Sequence, residues 1–143
     1  MEITENIEET LKAGCILVNK QTKKIGLIYR TKHNDYEFPK GHLEENETIM
    51  ECAIRETAEE TKRNVKLILD FEPYQITYTT KKGEHCRCYY YLGEDLGNSD
   101  NTSTDTHDLH WLNIENIEST LTYSNTLKVW EYIKPKLINY FNF

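Results

Sequence analysis

The stretch PKGHLEENETIMECAIRETAEET, residues 39–61, opens as a polar loop and turns into a periodic segment. From about Thr48 to Lys62 it reads as a helix, because Ile49, Cys52 and Ala53 recur at i, i+3 and i+4 on one apolar face. At about 100° per residue that face runs on into Glu56, Glu59 and Glu60 rather than into further apolar residues. Relative to Glu56 the other two carboxylates lie at about 300° and about 40°, so all three share a sector roughly 100° wide. Like charges at i, i+4 cost an isolated helix roughly 0.2–0.5 kcal/mol. Turned toward a core they cost more, or take up protons. A hard divalent cation with oxygen ligands, magnesium above all, removes both penalties. The plain alternative is a solvated acidic face, in which Arg55 and Glu59 form an ordinary i, i+4 pair.

The rest of the chain sets the frame. Its 143 residues are 38% hydrophobic and 29% charged, which fits one domain, residues 1–143, with a core of its own. The balance is acidic, 17 basic against 24 acidic residues. That argues against a DNA duplex or an anionic membrane as partner, since either needs a broad basic face. A small anionic substrate stays open, because a bound cation inverts the local charge. The acidic opening MEITENIEET and the short apolar run AGCILV carry no targeting signal, so the cytoplasm is the expected location. No obligate protein partner is evident. The four cysteines sit in strand-like runs or on the helix stripe, and Cys86-x-Cys88 has no second pair at zinc spacing, so all four read as buried free thiols.

KAGCILVN and KIGLIYR are β-rich runs joined by the polar turn KQTKK, and DYEFPKGH is a short extended piece broken at Pro39 and Gly41. VKLILDF reads as a buried strand, and YQITYTT with HCRCYYYLG as a hairpin turning at KKGE. Residues 97–106, GNSDNTSTDT, read as a mobile surface loop. HDLHWLNI returns as a strand, followed by a short helix near Ile114–Glu118. A last helix over Ser124–Ile138 stacks Leu127, Val129, Trp130 and Ile133, with Pro135 kinking or ending it. The class is α/β, a mixed sheet with helices on both faces.

Gly41, five residues, Glu47, seven residues, then Arg55-Glu56-x-x-Glu59-Glu60 resembles the Nudix box, G-x5-E-x7-R-E-U-x-E-E-x-G-U, laid over residues 41–63. Every charged position is filled, and the order of elements resembles a Nudix domain along nearly the whole chain. The resemblance implies an α/β/α sandwich with a mixed β-sheet between helices. Three positions depart from the pattern: Thr57 stands where an aliphatic residue is usual, Lys62 replaces the glycine, and Arg63 replaces the last aliphatic. The family glycine ends the helix in a left-handed turn. Asn64 is the candidate to take that conformation here.

The resemblance further implies site roles. Glu56, Glu59 and Glu60 would be the magnesium ligands, with manganese able to replace it, and the Gly41 carbonyl would be a further ligand. Arg55 and Glu47 would tie loop to helix and orient the carboxylates. The reaction would be metal-assisted hydrolysis of a nucleotide phosphoanhydride. FPKGHLE is similar to the opening of asymmetric bis(5'-nucleosyl)-tetraphosphatases, which cut diadenosine tetraphosphate to ATP and AMP. That group usually has a glutamate six residues before a tryptophan. Here Asp105 precedes Trp111 at that distance, as an extra ligand or the general base. Lys40 and His42 flank Gly41 and offer charge or a hydrogen bond to phosphates. Tyr78 and Tyr123 match positions that stack an adenine. Rival readings are a pyrophosphohydrolase of RNA 5'-triphosphate ends, a house-cleaning nucleoside triphosphatase, and a non-catalytic Nudix-fold nucleotide sensor.

Overall fold

The computed structural model describes residues 8–143, so most of the acidic opening segment, residues 1–7, lies outside the described residues. Eight strands form one mixed sheet. They are β1 (Thr10–Asn19), β2 (Lys24–Arg30), β3 (Asp35–Glu37), β4 (Lys40–His42), β5 (Arg63–Ile68), β6 (Tyr74–Thr79), β7 (His85–Asn98) and β8 (Asp108–Asn113). The helices are α1 (Ile49–Thr61), α2 (Ile117–Thr120) and α3 (Ser124–Phe141), with a 3-10 turn at Ile114–Asn116 leading into α2.

The sheet is built around β1 and β7, which run parallel from Thr10↔Cys86 to Val18↔Glu94. Each is long enough to hold two further partners end to end. β1 takes β4 on its first half and β2 on its second. β7 takes β6 and then β5 on its other edge. Because β1 is central, Ala13 to Val18 are buried without alternation in polarity, as expected of a strand covered on both faces. Side-chain direction still alternates. Ala13, Cys15 and Leu17 pack with Cys52 and Ala53 of α1. Ile16 and Val18 pack on the opposite face with Val129, Trp130, Ile133 and Leu137 of α3. Helices therefore cover both faces, as the sequence implies.

The hairpin turns follow local chemistry. Between β1 and β2 the Asn19 side chain accepts the N–H groups of Gln21 and Thr22, both at 3.1 Å, and Lys23 adopts a positive φ. Between β6 and β7 the bend is made by Gly83 at φ 85°, whose N–H reaches Thr80 O at 2.9 Å. All four cysteines are free and buried.

Helix α1 begins with a reciprocal cap. Thr48 accepts the Glu51 N–H at 3.1 Å, and the Glu51 carboxylate accepts the Thr48 N–H at 3.0 Å. Its buried stripe continues past Ala53 through Thr57, Ala58, Glu60 and Thr61, so the core face does not run straight into the acids as the sequence suggests. Thr57 and Thr61 can be buried there because each hydroxyl donates to the carbonyl four residues back, Ala53 and Thr57, at 2.7 and 2.6 Å. Glu56 and Glu59 lie along one edge of the stripe, and only Glu60 is within it.

Four local expectations are corrected. The left-handed residue is Lys62, at φ 60° and ψ 29°, and not Asn64. Asn64 already belongs to β5, opposite Gly97. Gly41 does not break the chain but pairs with Ala13 inside β4. The break falls at Phe38–Pro39, where β1 comes so close that a Cβ on Gly14 would stand 2.0 Å from Pro39 O. Pro135 lies inside α3, which runs on to Phe141. The missing hydrogen bond is outweighed there by burial of Leu137 and by Ile138 and Phe141 packed against the core. Lastly, the polar stretch after β7 is tied to the end of α1 by several hydrogen bonds and is not a free loop. Replacing Thr48 by Ala is expected to cost about 1 kcal/mol. Urea titration should show a lower midpoint with an unchanged m-value.

Candidate active site

The site forms where β4 and the last two turns of α1 meet. Gly41 lies directly beneath Glu56, so that a Cβ at residue 41 would stand 2.1 Å from the Glu56 carboxyl carbon. Only glycine allows this approach. Its carbonyl accepts a weak hydrogen bond from Cys52 Sγ at 3.5 Å and keeps a second lone pair.

Arg55 organises the acids. Its guanidinium forks onto Glu47, with Nε to Oε2 at 2.6 Å and an Nη2 contact to Oε1 at 2.9 Å. It also donates to Glu56 at 2.8 Å, to Glu59 at 3.1 Å and to the His42 carbonyl at 2.8 Å. The Arg55 hydrogen bond, working against desolvation, holds the Glu47 carboxyl below its ordinary range. Glu60 is oriented by other groups: it accepts the Lys40 N–H at 2.7 Å and faces His107 Nε2 at 3.4 Å. Burial pushes the Glu60 carboxyl up to about 8, although the Lys40 N–H and ammonium pull the other way. Burial raises Glu56 as well, against the pull of Arg55.

Among the described residues, no three acidic, histidine or cysteine side chains converge in an arrangement ready to hold a metal ion. The reason is visible in Arg55, which serves as the counter-ion and draws the tips of Glu56 and Glu59 toward itself. The donor set nonetheless fits a hard cation. Two oxygen-bearing side chains, Glu56 and Glu60, are buried beyond what their partners compensate, and a divalent ion favours the ionised form of both.

A cavity opens at these acids, and a second adjoins it. The first, about 520 Å³, is lined by Gly41, Glu56 and Glu60, by Asp105 of the loop after β7, and by Lys40 and His42. Asp105 is solvent-exposed, and its N–H is held by Ser103 Oγ at 3.1 Å. Glu59 and Glu47 do not line this cavity, being engaged by Arg55 behind it. The second, about 360 Å³, has Tyr78 and Tyr123 in its wall. Lys12, Arg30, His33 and Lys40 line both cavities, and the two lysines with the arginine form a cationic seam.

Sequence reasoning missed most of that seam. Arg30 is clamped by Asp35 through Nε to Oδ1 at 2.9 Å and Nη2 to Oδ2 at 2.6 Å, and Tyr123 donates to the same Oδ2 at 2.6 Å. Glu37 lies 3.4 Å from Arg30 and 3.2 Å from the Lys40 ammonium. Burial, the largest single influence, would lower the Lys40 ammonium, but the Glu37 carboxylate together with the Tyr78 and Cys88 side chains outweighs it and holds Lys40 above its ordinary range. Lys12, on central β1, donates to Tyr78 Oη at 3.1 Å. Two buried polar atoms in the second cavity, Tyr90 Oη and Asn125 Oδ1, have no hydrogen-bond partner. A three-residue strand gives no periodicity from which Asp35 and Glu37 could be read as buried. His107 has only its position, two residues beyond Asp105, to recommend it.

The chain belongs to the Nudix family: residues 9–131 match the NUDIX domain. Among solved structures it resembles an Ap4A hydrolase from C. elegans in a binary complex, with a TM-score of 0.76 at 22% identity, covering 91% of this chain and 98% of that one. It likewise resembles a NUDIX hydrolase from Nitrosomonas europaea, with a TM-score of 0.72 at 18% identity, covering 90% of each chain. At such identities the likeness concerns the fold. An 8-oxo-(d)GTP phosphatase of Mycolicibacterium smegmatis is 28% identical over 108 residues, 76% of this chain. The chain spans about a third of that curated relative's length, 33%. Hydrolases of this family generally use a divalent metal such as Mg2+. Among the described residues, no helix is long and apolar enough to cross a membrane.

The Glu60 carboxyl gives the ion-free protein a defined pH dependence. A glutamate in the unfolded chain titrates near about 4.3, whereas in the fold burial raises it to about 8. Between those values the folded state holds a proton that the unfolded chain has released, so this group's contribution to stability falls as pH rises. In chelator, the melting temperature is expected to drop more steeply between about pH 5 and about pH 8 in the natural protein than in Glu60→Gln. Added Mg2+ should flatten the slope in the natural protein.

Proposed function

We propose that this chain is a divalent-metal-dependent hydrolase of nucleotide polyphosphates, with diadenosine tetraphosphate, cut to ATP and AMP, as its preferred substrate. The observation that carries this reading is the pair of adjoining cavities: buried acids line one, two tyrosines line the other, and cationic side chains line both. A mononucleotide needs one base site and a few phosphate contacts, and two cavities of about 520 and 360 Å³ that share four lining residues leave room for a larger polyphosphate. The reading takes residues 1–143 as one domain carrying the whole site.

Glu56, Glu59 and Glu60, with the Gly41 carbonyl, are the groups that would hold magnesium or manganese. Bound there, the cation supplies charge neutralisation at the phosphate oxygens and a lowered pKa for water. Arg55 and Glu47 hold the carboxylates in place, and Arg55 becomes free to shift as its countercharge role is taken over. Lys12, Arg30, Lys40 and His42 bind the phosphates, with Arg30 kept in position by Asp35 and Glu37. Asp105, on the wall facing Glu56, accepts the proton of the water whose oxygen bonds to phosphorus as the bridging oxygen departs. Tyr78 and Tyr123 present ring faces to a base, a contact worth about 1–3 kcal/mol in general.

A second reading draws on the similarity to the 8-oxo-(d)GTP phosphatase: hydrolysis of a damaged nucleoside triphosphate in the same trough. Products separate the two. With Mg2+, diadenosine tetraphosphate is expected to give ATP and AMP at a kcat/KM well above that for 8-oxo-dGTP or a 5'-triphosphorylated RNA. A higher value for either rival moves the substrate to that class. Glu56→Gln is expected to lower kcat by more than the 10–100-fold typical of losing an outer-shell partner of a metal, while circular dichroism stays unchanged. Turnover retained in that variant would remove Glu56 from the reaction.

A further inference from the structure

Lys62 occupies the position at which the Nudix pattern has glycine, and it holds the left-handed conformation that normally favours glycine, φ 60° and ψ 29°. A lysine there is strained relative to glycine, so some other interaction has to hold it. Its ammonium donates to two carbonyls of the segment after β7, Asn101 O at 2.6 Å and Ser103 O at 2.7 Å. Its own carbonyl accepts the Ser99 N–H at 2.8 Å. Both side-chain bonds are charge-assisted and part-buried, the stronger kind.

The same segment is fastened to α1 at its other end. Thr106 Oγ1 donates to Glu59 O at 3.1 Å, and the His107 N–H donates to Glu60 O at 2.9 Å. Within it the side chains relay one another: Asn101 N–H to Ser99 Oγ, Ser103 N–H to Asn101 Oδ1, and Asp105 N–H to Ser103 Oγ, at 3.1, 2.8 and 3.1 Å. Among the described residues, the middle of the segment makes no long-range hydrogen bond except those to Lys62. Asp105 is two residues from Ser103, the nearer carbonyl held by Lys62, and one residue from Thr106.

We propose that Lys62 is a positioning residue: its ammonium pins the loop of residues 99–107 to the end of the carboxylate helix and so sets Asp105 across the cavity from Glu56. The role of Asp105 in this statement rests on the hydrolase reading above, whereas the tether itself does not. A glycine at residue 62 would relieve the backbone but leave the two carbonyls without their donor. Stability and loop order should therefore part company in that variant.

Three variants test this in the full chain: Lys62→Gly, Lys62→Met and Lys62→Arg. Amide hydrogen exchange over residues 99–107 is expected to accelerate about tenfold or more in Lys62→Gly and Lys62→Met, with exchange in β1 and β7 unchanged. The melting temperature of Lys62→Gly should exceed that of Lys62→Met, since both lack the donor and only glycine relieves the backbone, while the kcat of each for diadenosine tetraphosphate falls about tenfold and KM stays within about twofold. Lys62→Arg, which keeps the charge and the reach, should restore both loop protection and kcat. Unchanged exchange in the loop overturns the tether. Faster exchange with undiminished kcat overturns the positioning role. If the natural protein turns over no nucleotide, the hydrolase reading fails, and the exchange experiment still decides the tether.

Discussion

Arg55 is the group on which the acidic site depends. Four carboxylates, Glu44, Glu47, Glu56 and Glu59, drawn from the loop before α1 and from α1 itself, converge with a backbone carbonyl of β4 on one guanidinium. Without it, Glu47, Glu56 and Glu59 would repel one another in a half-buried setting, at a cost that grows as solvent is excluded. Its planar fork gives direction as well as charge: the two bonds to Glu47 fix the guanidinium plane, and the remaining donors then reach along the helix. The contact of Nη2 with the His42 carbonyl adds β4 to the same cluster. Loop, strand and helix are thus joined at one cation, beside the glycine over which Glu56 lies.

The fold places a second charge cluster opposite the first. Asp35 and Glu37 are buried on a short strand, yet neither is isolated, because Arg30 and Lys40 meet them and Tyr123 adds a hydroxyl. Buried ion pairs of this kind contribute little to stability after desolvation is counted. What they do here is hold two cations at the junction of two cavities. A free lysine or arginine would be drawn into solvent or onto the acids of α1. The protein therefore keeps negative charge at one end and positive charge in the middle of a continuous trough, although its overall charge is acidic. Composition alone argues against broad polyanion binding, and that argument does not extend to so local a feature.

Departures from the family pattern prove informative in structural terms. Thr57 lies in the core at an aliphatic position because its hydroxyl is satisfied within its own helix. Lys62 stands in place of a glycine and takes the glycine's backbone conformation, which moves the helix end two residues earlier than Asn64 would have placed it. Arg63 follows at once as the first residue of β5 and pairs with Asp95 across the sheet, with Nε to Oδ1 at 2.9 Å. The box glutamates and Arg55 stay in their helical register despite all three changes. Register is set by the cap at Thr48 and the stripe through Cys52 and Ala53, both upstream of the substitutions.

Much of this protein is written in short-range order along the chain. The helix, its start at Thr48, the two hairpins, the burial of the cysteines and the spacing of Gly41, Glu47, Arg55, Glu56, Glu59 and Glu60 all follow from periodicity, turn chemistry and a local pattern. Those signals lie within a few residues of one another, which is why they are legible without a structure. The parallel pairing of β1 with β7, the burial of Asp35 and Glu37, the cationic seam and the ties that remove freedom from residues 99–107 were not legible. Each joins groups far apart in the chain, or depends on burial that outweighs a local preference. The sequence determined which residues carry charge and on which face of a helix they stand; only packing decided which opposite charges they would meet, because Coulomb and desolvation energies depend on distances that the chain's order does not contain.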